Sequence, residues 1–165
     1  MSGPDPLKIL GTPERHRVRF VLIGAAAARI AGAPVVTEDI DVTPATDKAN
    51  LERLVAALKE LRARLRSPSD KSGVPLDANM LRTADLWTLT TSAGALDICF
   101  TPSGTRGYRD LRREALRTRV GHGVSVSVAS LRDVIRSKEA AGRDKDLAQL
   151  PLLRRTLEQI RERKT

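Results

Sequence analysis

The apolar residues of this chain fall into short runs and helical stripes separated by glycine and proline. Val18 to Ile23 has the length and the Val, Ile and Phe content of a strand, and Gly24 ends it. Ala25 to Ala31 is helix-forming by propensity, and Gly32 and Pro34 stop that helix. In Thr37-Glu38-Asp39-Ile40-Asp41-Val42 acids alternate with apolar residues. Side chains of a strand alternate between faces, so Asp39 and Asp41 share one face and Ile40 and Val42 the buried one. Asp47 is a plausible N-cap for a long helix carrying the stripe Leu51, Leu54, Val55, Leu58, Leu61 and Leu65. Its other face, with Arg53, Lys59, Arg62, Arg64 and Arg66, reads as solvated.

After a polar loop over residues 67–73, Val74 to Leu81 reads as a short irregular strand. Leu86–Thr91 and Ala95–Phe100 form a hairpin around Ser92-Ala93-Gly94. Leu96, Ile98 and Phe100 then share one face, while Asp97 is a lone acid on the other. Tyr108 to Leu116 reads as a short Arg-rich helix, and Thr118–Val120 pairs with Val124–Val128 across Gly121-His122-Gly123. Ser130 and Asp133 open the next helix in the manner of a capping box. A last helix runs from about Asp146, with Leu147, Leu150, Leu153, Leu157 and Ile160 along one side and a fraying tail over residues 161–164. Residues 1–13, broken by proline and glycine, read as a surface or frayed segment. The expected architecture is one α+β domain over residues 18–165, a mostly antiparallel sheet backed by helices, behind an N-terminal extension of residues 1–17.

Composition narrows the function. At 165 residues with 41% hydrophobic and 30% charged positions, the chain suits one soluble domain. A net charge of +9 favours polyanionic partners, while an aromatic content of 2% argues against a base-stacking platform. The single cysteine, Cys99, excludes a disulfide framework, and His16 and His122 lack zinc-ligand spacing. The first residues lack the features of a signal peptide and no apolar run is long enough to span a membrane, so a cytoplasmic protein is expected. A dinucleotide fingerprint from Gly24 would need glycine where Ala26 and Arg29 stand.

Two carboxylates side by side repel unless a positive charge lies between them, so Asp39 and Asp41 suggest a divalent cation held by oxygen. Asp97, unpaired inside an apolar strand, should meet a cation or a ligand. Lys138 falls on the core-facing stripe of its helix with Leu131, Val134 and Ile135, where an ammonium needs an anion.

Strand, Gly24, short helix and Thr37-Glu38-Asp39-Ile40-Asp41 together resemble the signature of the DNA polymerase β-type nucleotidyltransferase superfamily. The resemblance implies that Gly24 and Ala25 open a helix meeting a nucleotide triphosphate, with Thr37 beside it. It also implies that Asp39, Asp41 and Asp97 hold Mg²⁺ (or Mn²⁺) and are the catalytic acids. Family members usually have Gly-Gly or Gly-Ser where this chain has Gly24-Ala25. The run Ser137-Lys138-Glu139 to Gly142-Arg143-Asp144-Lys145-Asp146-Leu147 resembles the C-terminal motif of the toxin-type AbiEii abortive-infection nucleotidyltransferases. By that match Lys138, Lys145 and Asp146 complete the nucleotide site, with Arg143 less directly implicated, and Asp146 has an alternative role as a helix N-cap. The family implies an NTP substrate. Its toxin-type members suggest an RNA acceptor such as a tRNA 3′ end, and a cognate antitoxin, another partner protein or a second copy. A non-catalytic protein of the same fold, binding RNA or a partner, is the rival expectation.

Overall fold

The structure, a computed structural model, describes residues 4–37, 39–66 and 76–164. Helix α1 (Pro6–Arg15) precedes strand β1 (Phe20–Ile23), helix α2 (Gly24–Ile30), β2 (Ile40–Pro44), α3 (Lys48–Glu60), β3 (Arg64–Leu65) and the single turn α4 (Ala78–Leu81). Then come β4 (Leu86–Thr91), β5 (Gly94–Cys99), α5 (Tyr108–Leu111), β6 (Leu116–Gly121), β7 (Val124–Val128), α6 (Leu131–Ala141) and α7 (Asp144–Arg163). The strands make one mixed sheet in the order β3-β4-β5-β2-β1-β7-β6. The pairs β1/β2, β3/β4, β4/β5 and β6/β7 are antiparallel, and β2/β5 and β1/β7 are parallel. The expected α+β architecture with a mostly antiparallel sheet and C-terminal helices is the one observed.

The alternation in the sequence sets which face is buried. Ile40 and Val42 of β2, and Leu96, Ile98 and Phe100 at β5, pack inward with the α3 stripe Leu51, Leu54, Leu58 and Leu61. The same alternation sends Asp41 and Asp97 to the opposite, more open face. The β4–β5 hairpin closes through Ser92 and Ala93, with Thr91 opposite Gly94.

Six local readings are corrected. Helix α5 stops at Leu111 and Leu116 opens β6 rather than ending that helix, and residues 161–163 are the last turn of α7 rather than a frayed tail. Residues 6–15 are a helix rather than a frayed segment. Asp5 caps it by accepting from Lys8 N at 3.1 Å, Pro6 occupies the first turn, where its missing N–H costs nothing, and Ile9 and Leu10 are buried. Helix α3 ends at Glu60 because the chain reverses at Arg62, whose φ is 53°, so Leu65 and Arg66 do not continue its stripe. Residues 78–81 of the expected irregular strand are a helical turn capped by Asp77, and Val74 and Pro75 lie outside the described residues. Leu147 is 49% exposed, whereas Leu150 and Leu153 are buried. Among the described residues no helix is long and apolar enough to cross a membrane.

Candidate active site

Three adjacent strands bring the acids and the glycine together. Ile23, the last residue of β1, is opposite Asp41 of β2, and Asp41 is opposite Asp97 of β5 across a parallel ladder. Gly24, directly after β1, adopts φ +69°, and a β-carbon there would lie 2.6 Å from Asp41 Oδ2. Glycine is required at this position both for the backbone angle and for the approach of the carboxylate. Burial, together with the nearby Asp97 and Asp39 carboxylates, pushes Asp41 up to about 7, against a counteracting pull from Lys138. A carboxyl so raised takes up a proton more readily than an ordinary aspartate, or a cation in the proton's place.

Asp39 stands just ahead of β2 on exposed chain, close enough for its charge to act on Asp41. Thr37 Oγ1 donates to the carbonyl of Asp39 at 2.8 Å and so shapes this approach. Glu38 lies outside the described residues. Among the described residues no three His, Cys, Asp or Glu side chains converge as a complete metal cage. The donor set is a close oxygen pair with a third acid nearby. Its mutual repulsion suits a hard divalent cation, which takes oxygen ligands.

Asp97 meets the cation its isolation called for, but from an unexpected element. Arg66 places Nη2 2.9 Å from Asp97 Oδ1 and donates from the same nitrogen to the Leu89 carbonyl at 2.6 Å. Its backbone N–H bonds Thr88 O, which carries the β3 edge past the end of the strand. The helical stripe through Leu65 concealed this. A period-two signal was nevertheless present in Arg62-Ala63-Arg64-Leu65-Arg66, where basic and small or apolar residues alternate.

On the other side of Asp41, α6 and α7 supply a charged cluster. Asp146 is 1% exposed; its Oδ1 accepts from Lys138 Nζ at 3.4 Å and its Oδ2 from Arg143 Nε at 2.7 Å. The Arg143 hydrogen bond and the two cations hold this carboxyl below its ordinary range despite burial. The cap of α7 is Arg143, and Asp146 lies in the first turn, so the alternative N-cap role is not the one observed. With both oxygens occupied, Asp146 orients Lys138 and Arg143. The fields of both cations reach Asp41. Lys145 is exposed on the same turn and joins none of these contacts. Ala25 is half-buried in the first turn of α2, whose N-cap, Ile23, makes no side-chain capping bond.

Cys99 follows Asp97 on the same face, yet burial and the neighbouring Asp85 push its thiol up to about 11. A thiol so poised is no nucleophile. A cavity of about 570 Å³, lined by Arg82, Asp85 and Phe100 among others, lies beyond the end of β5 and includes none of the site acids.

No protein-family model matches this chain, and no curated protein matches it. Among solved structures it is similar to a provisionally assigned nucleotidyltransferase from Thermotoga maritima, TM1012, at 18% identity and a TM-score of 0.53 over 96% of each chain. It is also similar to the antibiotic-resistance factor ANT(2'')-Ia, at 16% identity and a TM-score of 0.55, covering 91% of this chain and 80% of that one. The lincosamide antibiotic adenylyltransferase LnuA, solved with lincomycin bound, matches at 13% identity and a TM-score of 0.54 over 93% of this chain and 98% of its own. At these identities the likeness concerns the backbone: the chain has the fold of the nucleotidyltransferases.

Proposed function

We propose that the protein is a metal-dependent nucleotidyltransferase that moves a nucleoside monophosphate from an NTP to a hydroxyl acceptor and releases pyrophosphate. The observation that carries this reading is the opposition of Asp41 and Asp97 across β2 and β5, with Gly24 opened to receive Asp41 and two cations beyond it. Asp41 and Asp97, with Asp39 beside them, would hold Mg²⁺ or Mn²⁺. When bound, the metal neutralises phosphate charge and activates the attacking hydroxyl. Lys138 and Arg143, held by Asp146, are the chain's own donors for the phosphates. The backbone amides of Gly24 and Ala25 support the same group, with Thr37 and Lys145 at the periphery. The acceptor oxygen attacks the α-phosphorus as the bond to pyrophosphate breaks, a displacement that rests on positioning and charge stabilisation.

The basic surface charge and the Lys138–Asp146 motif support an RNA acceptor such as a tRNA 3′ end, in the manner of a toxin with a cognate antitoxin. Ala25, where relatives have glycine or serine, favours a second reading, a non-catalytic RNA- or partner-binding protein. Incubation with each α-³²P-labelled NTP, Mg²⁺ and total RNA, beside an Asp39→Ala/Asp41→Ala variant, separates the two. Label transferred by the wild type alone establishes the enzyme and its nucleotide. Absence of both labelling and Mg²⁺-dependent NTP binding sinks it.

A further inference from the structure

We propose that the outer surface formed by α5 and β6 docks a nucleic-acid strand by its phosphates. Residues 106–119 carry six arginines, at 106, 109, 112, 113, 117 and 119, against two acids, Asp110 and Glu114. All six arginines are exposed. Both acids are drawn toward α6: Asp110 pairs with Arg136 at 3.1 Å and Glu114 with Arg132 at 3.8 Å. Asp110 also accepts from the Arg106 backbone N–H at 2.9 Å and feels the charge of Arg113, but each acid makes its ion pair outside the segment, and two acids stand against six arginines. Arg117 pairs with Glu14 at 2.5 Å, and among the described residues the other five have no carboxylate within ion-pairing distance.

Spacing gathers these charges. Arg109, Arg112 and Arg113 stand three and four residues apart on a helical turn, which puts them on one side. Arg117 and Arg119 follow two residues apart, on one face of β6. That strand closes the sheet, so among the described residues its outer edge has no neighbouring strand.

The chemistry favours phosphate. A guanidinium presents a rigid fork of donors that matches phosphate oxygens, and unpaired arginines along a surface create the field that attracts a polyanion. Leu116, 68% exposed, is the one large apolar side chain exposed on this surface among the described residues. A protein partner would need an apolar or aromatic centre, and a lipid surface an apolar anchor.

The surface is joined to α6 through Asp110–Arg136, and Lys138 lies two residues further along that helix. Residues two apart on a helix point to different sides, so Arg136 and Lys138 do not share a face of α6. Nucleic-acid docking here requires no step of the transferase reading, and each can fail alone.

The test is fluorescence anisotropy of a labelled 20-nucleotide single-stranded RNA with the full chain across a salt series. An Arg109→Gln/Arg112→Gln/Arg113→Gln/Arg119→Gln variant is compared with one replacing four exposed cations elsewhere, Lys8, Lys59, Arg82 and Arg155, by Gln. Removing four phosphate contacts should flatten the slope of log affinity against log salt by about 3 and weaken low-salt binding at least tenfold. The control variant should keep the wild-type slope. Equal losses in both variants, or none in the first, overturn the proposal. So does equal binding of poly-glutamate, or of phosphatidylcholine vesicles with phosphatidylserine. Mg²⁺-dependent NTP binding, measured on the same samples, reports on the transferase reading alone and should be unchanged.

Discussion

Asp41 rests its carboxylate against the bare Cα of Gly24, where a β-carbon would lie 2.6 Å from Oδ2. Gly24→Ala should therefore displace that acid and force an L-residue to φ +69°, destabilising the fold by about 2 kcal/mol. Mg²⁺-dependent NTP affinity should fall at least tenfold, beyond what partial unfolding explains. Urea midpoints and calorimetric titration check the two effects separately. Wild-type affinity in Gly24→Ala would show that the close approach does not matter to the site.

The acid pair also makes stability depend on pH. Asp41 is raised to about 7 in the folded chain, against about 4 when unfolded, so the native state holds this proton more tightly. Stability from this group is then present below pH 4 and lost as pH climbs to 7, by on the order of 2–4 kcal/mol. The carboxyls held low, such as Asp110 and Asp146, act only at more acidic pH. Thermal melts of metal-free protein at pH 5 and pH 8 should differ for the wild type and much less for Asp41→Asn. Added Mg²⁺ should recover melting temperature at pH 8.

Asp146 holds two cations from inside the protein. Replacing it by alanine leaves Lys138, 15% exposed, without its anion and should cost about 3 kcal/mol. Arg143→Ala, at a side chain 61% exposed, should cost under about 1 kcal/mol. Both should weaken NTP binding. Chemical denaturation beside nucleotide titration distinguishes the positioning acid from the ligand it positions.

Helix α1 belongs to the core. Ile9 is 1% exposed, so Ile9→Ala should destabilise by about 3 kcal/mol, readable as a lowered urea midpoint with an unchanged slope.

Elements with strict periodicity were legible from the residues. The β4–β5 hairpin, the inward face of Leu96 and Ile98, the Asp47 and Ser130 caps and the stripe of α3 up to Leu61 all followed from local pattern. Helix α1 was hidden because Pro6 and Pro13 look like breakers, although proline fits a helix's first turn. The opposition of Asp97 to Asp41 depends on strand order, which no local window contains. The partnership of Arg66 with Asp97 required knowing that α3 stops before it. The role of Asp146 depended on where α7 begins, two residues earlier than its stripe suggested.

Asp41 and Asp97 meet across a parallel ladder, which cannot form by folding back a single hairpin. The chain between them passes through α3, β3, α4 and β4, and contacts across such a sequence separation are the slow ones to form in folding. A nascent chain that has made Asp41 but not yet β5 therefore lacks half of the acid pair. The acid pair is thus assembled only once the sheet around it has closed.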